Sequence, residues 1–434
     1  MNRSTSPARH DHLTFKGNPR HSRYGWLRLT PAYSVHQVEK LISTQNAPGP
    51  VLDPFCGTGT TALVCAELGI ECDTTDINPF LVWLAAAKSR PYNAAVVDTF
   101  VAASEEVART IRSTNGKPGW VPPLHQIEKW WDDATLRALG HAMAKIKAMQ
   151  ATVPTDAFDL LRVAFCWTMM DHANVSFGHQ SMSFKRREPS KRRQPVFPGF
   201  SENPIVETWD YAVSLIASAA RKPTARFPRV ILLDSRKLDS ALPTDHYACV
   251  ITSPPYPNRM SYIRELRPYM YWLGFLAGGR AAGELDWQAI GGTWGCATSN
   301  LNKWQPPPDT IIPYAECCTI LSRIAQRSDI LARYVHKYFV DMLQHCACLF
   351  RVVRPGGSIH YIVGNSKFYD VVLPVEEIYA AMFETAGFSS VAVETSRKRT
   401  SKKELFEFVV SARKPAPSMW SDKPVGRGQG RTNG

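Results

Sequence analysis

The segment that most constrains this chain is the run of eight residues from Asp53 to Thr60, with the sequence DPFCGTGT. The residues Val51-Leu52 before it are typical of a short buried strand, and the pattern from Thr60 to Leu68 is helical. Glycines in such a turn let the backbone approach a ligand closely, and the start of the helix favours a negative group. The run therefore predicts a ligand-binding loop at the end of a parallel strand.

The next predicted strand, Glu71 to Asp76, ends in an acidic residue, and Asn78-Pro79 then begins another helix. An acid at this position can accept both hydroxyls of a ribose, which predicts a nucleoside site. The loop lacks the third glycine of a dinucleotide fingerprint and the lysine of a P-loop, which argues against those ligand classes. The alternation of strands and helices predicts a parallel α/β sheet.

A second rigid segment, Thr252 to Tyr256 (TSPPY), follows a predicted buried strand. Two successive prolines fix an extended loop and remove two backbone donors, so the loop presents carbonyl oxygens and the Ser253 hydroxyl beside a tyrosine ring. Acceptors for an amino group next to a flat ring suit a nucleobase turned out of its helix, although a merely stiff turn is the alternative interpretation. In a doubly wound sheet the first and fourth strands are neighbours, so the two loops should open side by side.

The net charge of +13 indicates a polyanionic partner, although an ordinary basic enzyme could carry the same charge. No apolar run approaches the length of a bilayer span, and the N-terminus lacks the apolar core of a secretory signal. The ten cysteines form no CxxC pair, and His172 and His179 lack partners at metal-binding spacing. We therefore expect no metal site, no membrane association and a reducing, cytoplasmic compartment.

The combination of DPFCGTGT with a downstream TSPPY resembles the amino-methyltransferases of DNA, which make N4-methylcytosine or N6-methyladenine. The cofactor loop precedes the catalytic loop, as in the α-like order of motifs, and the resemblance covers about residues 24–89 and 230–414. It implies the α/β fold of a class I (Rossmann-like) methyltransferase with a mainly helical insertion. It also implies S-adenosylmethionine as cofactor and DNA as partner, RNA being less favoured, with a cognate restriction or defence-system protein as a further candidate partner.

The resemblance implies roles for individual residues. Those expected at the cofactor are Thr30, Asp53, Phe55, Cys56, Gly57, Thr58, Gly59, Thr60, Asp76, Ile77 and Asp234. Those expected to be catalytic and to hold the target base are Ser253, Pro254, Pro255 and Tyr256. Hydrogen bonds from the base amine to the Ser253 hydroxyl and the Pro254 carbonyl would stabilise the positive charge that develops on the nitrogen. Serine at this position favours cytosine N4 over adenine N6 as the methylated atom.

The residues expected at the nucleic acid lie in three places: Lys185, Arg186, Arg187, Lys191, Arg192 and Arg193; Asn258 and Arg259; and Arg397, Lys398 and Arg399. Inert charged loops are the alternative for the first and third groups, and a cap of the next helix for the second. The predicted organisation is a catalytic domain (24–90 and 229–414), a helical and basic insertion that is a candidate target-recognition region (91–228), an irregular second insertion (277–313), and disordered ends (1–23 and 415–434).

Two other functions compete with DNA methylation. A tRNA guanine-N2 methyltransferase shares similar loops but usually has Asp or Asn where Ser253 stands and an N-terminal RNA-binding domain, and only about fifty residues precede the glycine loop here. A nucleic-acid-binding protein that kept the fold but lost activity is the non-enzymatic alternative, against which the intact Asp53, Asp76, Ser253 and Tyr256 argue. The sequence indicates neither the recognition site nor the oligomeric state.

Overall fold

The structure is a computed structural model that describes residues 13–14, 17–27, 29, 32–44, 49–176, 183–184, 203–399 and 404–416. The helices are α1 (Val35–Ser43), α2 (Thr60–Leu68), α3 (Pro79–Ser89), α4 (Ala94–Arg112), α5 (Ile127–Trp130), α6 (Asp133–Ala148), α7 (Thr155–Asp171), α8 (Pro204–Ala220), α9 (Tyr262–Trp272), α10 (Gly279–Gln288), α11 (Cys296–Lys303), α12 (Cys317–Ala325), α13 (Asp329–Val352) and α14 (Val375–Thr385). The strands are β1 (Val51–Asp53), β2 (Cys72–Asp76), β3 (Val175–Ser176), β4 (Ser183–Phe184), β5 (Arg229–Leu232), β6 (Tyr247–Thr252), β7 (Val353–Gly364), β8 (Ser366–Phe368), β9 (Val371–Leu373), β10 (Ser389–Lys398) and β11 (Phe406–Arg413).

The central sheet has the strand order β10-β11-β7-β6-β1-β2-β5. The pairs from β7 to β5 are parallel, whereas β11 runs antiparallel to both β7 and β10. This is a doubly wound order with one antiparallel strand added near an edge. The predicted α/β sheet of Rossmann-like topology is therefore confirmed, and β1 and β6 are neighbours at its centre.

Helices cover both faces of this sheet. The inner strands carry apolar side chains on both faces, so each face is buried under a layer of helices. Ile251 and Ile362 pack with α1 and α2 on one face. Val250, Tyr361 and Val363 pack with α13 and α14 on the other. The carboxyl ends of β1 and β6 are thus held firmly between two helical layers.

The predicted helical insertion is also confirmed. Helices α4, α6, α7 and α8 form an apolar core that continues onto α3 and α9. Trp130 and Trp131 are 2% and 1% exposed, and the Trp131 indole donates to the Met169 carbonyl at 2.8 Å. The tryptophan pair is therefore part of the core. The basic run at 185–193 lies outside the described residues.

The predicted disordered N-terminus extends too far into the chain, because Arg23 belongs to the fold. Its guanidinium is buried and donates to five carbonyls at 2.6 to 3.2 Å, two of them near the end of α3 and three near the end of α8. The last carbonyls of a helix have no partner within it, and arginine offers five donors. Arg23 therefore joins the start of the catalytic domain to both helices.

Two further predictions need correction. The second insertion, 277–313, is not irregular throughout, since it contains α10 and α11, with Ala282 and Leu301 buried. Both helices are short and rich in small and polar residues, so few apolar residues mark their period. The apolar run from Val230 to Leu233 predicts a buried strand, but β5 lies at the sheet edge, where Leu232 is 57% exposed. A short apolar run does not distinguish an edge strand from a central one. No helix in the described part of the chain could span a bilayer.

Candidate active site

A cavity of about 500 Å³ opens at the carboxyl ends of four neighbouring strands. Its walls include Phe55 and Gly57 after β1, Asp76 to Asn78 at the end of β2, Leu233 to Ser235 after β5, and Ser253 to Tyr256 after β6. Ligands of doubly wound sheets bind at this edge, where the direction of winding reverses. The structure thus brings the glycine loop and the TSPPY loop into one cavity.

The residues predicted at the cofactor divide into two groups. Phe55, Gly57, Asp76, Ile77 and Asp234 line the cavity. Asp53, Cys56, Thr58, Gly59 and Thr60 do not; they are buried behind the loop. The contact of this second group with the cofactor stays a prediction, and the burial of these residues within the loop indicates that they shape it. Thr30 lies outside the described residues.

Asp53 illustrates what the inward side chains do. Its carboxylate is fully buried and accepts hydrogen bonds from the Thr252 hydroxyl at 2.6 Å, the Tyr33 hydroxyl at 3.1 Å and the Phe55 amide at 3.2 Å. Burial raises the pKa of Asp53 to about 6, although these hydrogen bonds oppose the shift. Because Thr252 begins the TSPPY segment, Asp53 ties the glycine loop to the catalytic loop and acts by positioning both.

Asp76 lies in the cavity wall and is held by the backbone. The Gly57 amide donates to Oδ2 at 2.9 Å and the Asn78 amide donates to Oδ1 at 2.8 Å. Burial raises the pKa of Asp76 to about 7. Gly57 and Gly59 both have positive φ, and a Cβ on Gly59 would lie 2.8 Å from the Ala85 Cβ. Both glycines are thus needed for the loop to reach Asp76 and for α2 to pack on α3.

Asp234 is held by an arginine that the sequence analysis did not single out. Arg236 donates Nε to Oδ1 at 3.0 Å and Nη2 to Oδ2 at 2.7 Å, and it also contacts Asp341 and the Gln288 carbonyl. Burial would raise the pKa of Asp234, but the hydrogen bonds and charge of Arg236 outweigh it, so the pKa is lowered. Asp234 therefore presents an ionised acceptor to the cavity.

Phe55 is supported by a buried histidine. The Phe55 ring stands edge-on to His345, with centroids 4.8 Å apart. The Nδ1 of His345 lies 2.9 Å from the Ser235 carbonyl, which can only accept, so Nε2 accepts from the Tyr361 hydroxyl at 2.6 Å. Burial lowers the pKa of His345 to about 4. The imidazole is therefore neutral and supports Phe55 without adding charge to the cavity.

The TSPPY loop is fixed from two sides. The Ser253 hydroxyl donates to the Ile362 carbonyl in β7 at 3.0 Å, and the Tyr338 hydroxyl donates to the Pro255 carbonyl at 2.8 Å. Within the described residues no group donates to the Pro254 carbonyl. Because the Ser253 proton is engaged by Ile362, its oxygen offers lone pairs. The loop therefore presents two hydrogen-bond acceptors to the cavity.

The candidate nucleic-acid residues are placed unequally. Asn258 lines the cavity, and its Oδ1 accepts from the Met260 amide at 3.1 Å; the cap of α9 is Ser261, so the capping alternative for Asn258 and Arg259 is wrong. Arg259 is exposed and outside the cavity wall. The third group lines the cavity: Arg397 and Lys398 end β10, and Arg399 follows it. Lys185, Arg186, Arg187, Lys191, Arg192 and Arg193 lie outside the described residues.

The second insertion contributes to the cavity, which the sequence analysis missed. Asp286 and the segment 288–292 line it. Asp286 is 1% exposed and accepts from the Trp294 amide at 2.6 Å and from the Ser261 hydroxyl that caps α9. Burial raises the pKa of Asp286. No motif or period marks this segment. The described residues contain no group of three His, Cys, Asp or Glu side chains that could hold a metal.

No protein-family model matches the chain. The chain is 20% identical over 406 residues to the type II methyltransferase M.AvaI of a Nostoc strain, covering 87% of this chain and 81% of that protein. It is 21% identical over 467 residues to the type II methyltransferase M.BsoBI of Geobacillus stearothermophilus, covering 95% and 88%. A third relative is the type II methyltransferase M.MvaI of Kocuria varians, at 20% identity over 377 residues, covering 82% and 80%.

The solved structures that match include TTHA0409 of Thermus thermophilus in complex with S-adenosyl-L-methionine. It is 15% identical to this chain, and the match covers 44% of this chain and 56% of that one, with a TM-score of 0.21. A second structure of the same protein matches with a TM-score of 0.22.

Proposed function

We propose that this chain is an S-adenosylmethionine-dependent DNA methyltransferase that methylates the exocyclic N4 of cytosine. The observation that carries the proposal is the shared cavity, which Asp76 and Asp234 line at one end and Ser253 and Tyr256 at the other. Methyl transfer needs donor and acceptor in one enclosed space with their reacting atoms aligned. The similarity to type II methyltransferases, which extends over most of their length, supports the same activity.

The residues around the cavity fit the cofactor. The volume of about 500 Å³ falls within the range of ordinary ligand sites, roughly 300–1,000 Å³. Asp76, held by two backbone amides, would accept from ribose hydroxyls, and Asp234, held by Arg236, would accept from the adenine amino group. Phe55 and Gly57 would then lie towards the methionine end. The bound cofactor supplies an electrophilic methyl group on a sulfonium.

The chain's own contribution to the reaction is to prepare the amine. The lone pair of an exocyclic amino group is delocalised into the ring, which makes it a weak nucleophile. The Ser253 oxygen and the Pro254 carbonyl would each accept one amine hydrogen, drawing the nitrogen towards a tetrahedral geometry and stabilising its developing positive charge. Tyr256 provides a ring on which the extruded base stacks. The choice of cytosine N4 over adenine N6 rests on the serine at position 253.

Duplex DNA would cross the rim of this cavity. Arg397 is paired with Glu407, and Arg399 donates to the Asn365 carbonyl, whereas Lys398 and Arg259 are exposed. We therefore assign phosphate contacts first to Lys398 and Arg259. The insertion 91–228, with its basic run at 185–193, remains the proposed target-recognition region, and a cognate restriction nuclease is the proposed partner.

The test is to identify the methylated nucleoside. The protein is incubated with radiolabelled S-adenosylmethionine and either PCR-amplified DNA or RNA transcribed in vitro, both free of prior methylation, and the products are digested to nucleosides. We expect label in N4-methylcytosine from DNA. Label in N6-methyladenine would change the target atom, and label in N2-methylguanine from RNA would replace the proposal with the tRNA enzyme. Cofactor binding without transfer to either polymer would indicate the inactive binding protein.

A further inference from the structure

Tyr256, the stacking residue of the proposed mechanism, is enclosed on one side by the end of β7. A Cβ on Gly364 would lie 2.9 Å from Cε2 and 3.2 Å from Cδ2 of the Tyr256 ring, so glycine is needed there for the ring to fit. The Arg399 guanidinium lies 5.8 Å from the ring centroid, and its Nη1 lies 3.1 Å from the same Cβ position. Gly364 and Arg399 thus cover neighbouring parts of the ring and leave the remainder to the cavity.

The hydroxyl of Tyr256 lies near a carboxylate that the proposed mechanism does not use. It lies 3.4 Å from Oε2 of Glu407, which also lines the cavity and is 8% exposed. Glu407 cannot turn away easily, because Arg397 holds it through two parallel bonds, Nε to Oε1 at 3.0 Å and Nη2 to Oε2 at 2.8 Å. The pair spans the β10–β11 ladder, in which Arg397 and Glu407 are direct partners, and Glu407 in turn is opposite Gly364 in β7.

We propose that Glu407 is a positioning residue for the target base: through the Tyr256 hydroxyl it fixes the plane of the ring on which the base stacks. This inference rests on the proposed function. A tyrosine ring rotates about its last side-chain bond, and a stacking platform is useful only at one setting of that rotation relative to the acceptors Ser253 and Pro254. The hydroxyl oxygen lies on the axis of that rotation, but its hydrogen prefers the plane of the ring, so a bond to Glu407 favours the setting in which the carboxylate lies in that plane. Gly364 and Arg399 beside the ring exclude other settings.

The charge of Glu407 is balanced mainly by Arg397. Substitutions can therefore test the contact of Glu407 with Tyr256 separately from its charge. In Glu407→Gln the side-chain carbonyl can still accept from the Tyr256 hydroxyl, whereas Glu407→Ala removes the acceptor at this position. Tyr256→Phe keeps the ring and removes only the hydroxyl. If Glu407 acts through the Tyr256 hydroxyl, removing Glu407 should not lower kcat further in a protein that already lacks that hydroxyl. Glu394→Ala is the matched control, since Glu394 is an exposed glutamate on the same strand as Arg397.

The experiment measures kcat and KM for methyl transfer to PCR-amplified DNA, together with cofactor Kd and Tm, in wild type, Y256F, E407A, the double variant, E407Q and E394A. We expect Y256F and E407A each to lower kcat about tenfold, and the double variant to lose about tenfold and not a hundredfold. E407Q should stay within about threefold of wild type, with cofactor Kd unchanged throughout.

Three results would overturn the inference. Multiplicative losses in the double variant would mean that Glu407 contacts the base by itself. A fall in Tm or cofactor affinity that parallels the loss of kcat in E407A would mean a purely structural role. A wild-type protein that labels no DNA would overturn the proposed function and this inference together, whereas an active wild type with an additive cycle would overturn only the inference.

Discussion

The two ends of the cavity are built in different ways. At the cofactor end the contacts that hold the two acids join residues close in the sequence. Asp76 and Asn78, like Asp234 and Arg236, are two residues apart, and Gly57 is 19 residues from Asp76. At the base end the contacts join residues far apart in the sequence. Ser253 is 109 residues from Ile362, Pro255 is 83 from Tyr338, and Tyr256 is 151 from Glu407. The two acids of the cofactor end are therefore held mainly by residues close in sequence, although Arg236 and Phe55 also contact α13 through Asp341 and His345. The base end depends on the packing of β7, β11 and α13.

This difference predicts that changes at the base end affect turnover and leave cofactor binding intact. The largest effect is expected for Ser253→Ala, which removes one of the two amine acceptors. We expect kcat to fall roughly 100-fold, as for the loss of one preorganised hydrogen bond to a developing charge. Cofactor Kd, measured by calorimetry, should stay within about twofold of wild type because the glycine loop and Asp76 are untouched.

Ser366→Ala is the matched control for Ser253→Ala. The Ser366 hydroxyl is buried, has no partner within the described structure and does not line the cavity, so its removal should leave kcat and Tm near wild type. Equal weakening of cofactor binding and turnover in Ser253→Ala would contradict the separation of the two ends.

The next largest effect is expected at the cofactor end, for Asp76→Asn. Both carboxylate oxygens accept backbone amides, and an asparagine can match only one of them, so its amino group would face a second donor. We expect cofactor Kd to rise about 30-fold, while kcat at saturating cofactor changes little, because hydrogen bonds to a charged group contribute roughly 1.5–3 kcal/mol. Equilibrium binding and steady-state kinetics separate the two quantities.

Asp98→Asn is the control for that substitution. Asp98 pairs with Arg221 on the surface of the insertion, where its side chain is 64% exposed, so its charge should matter little. A loss of kcat in Asp76→Asn as large as the rise in Kd would show that the two ends are coupled, and Asp53, which accepts from Thr252, would be the path to examine first.

The same difference explains what the sequence could predict. The glycine loop, the acid that ends β2 and the order of strands were predictable because each depends on neighbouring residues and on the geometry of parallel strands. The positioning role of Asp53 was not, since it requires Tyr33 and Thr252 to converge on one carboxylate. Nor was the wall formed by residues 286–292, because α10 and α11 beside it are too short for a clear apolar pattern.

The role of Glu407 was predictable only in part. A single charged residue between Phe406 and Phe408 in an apolar strand is a visible anomaly, since an acid in such a strand needs a partner. The sequence could have marked it as functional. It could not have named Arg397 and Tyr256 as its contacts, because the register of the last two strands and the fold of the catalytic loop are both needed to bring them together.

The smallest predicted effect is on pH dependence and again separates the ends. Asp76 must be ionised to accept from ribose hydroxyls, and burial raises its pKa to about 7, so cofactor affinity should rise five- to tenfold, by rough estimate, between pH 6 and pH 8. The affinity of Asp76→Asn should be nearly constant over that range. A wild-type affinity that is flat, or that falls with pH, would contradict the assignment of Asp76 to the ribose.

Stability without cofactor should change in the opposite direction. A carboxyl whose pKa is higher in the folded than in the unfolded state binds more protons when folded, so raising the pH from about 4 to about 7 lowers the free energy of unfolding. Asp76, with a pKa of about 7, and Asp53, with a pKa of about 6, both act in this sense. Thermal melts of the cofactor-free protein should therefore show Tm decreasing over this range, less steeply in Asp76→Asn. Saturating cofactor should reverse part of the decrease, because binding favours the ionised Asp76 that folding alone disfavours.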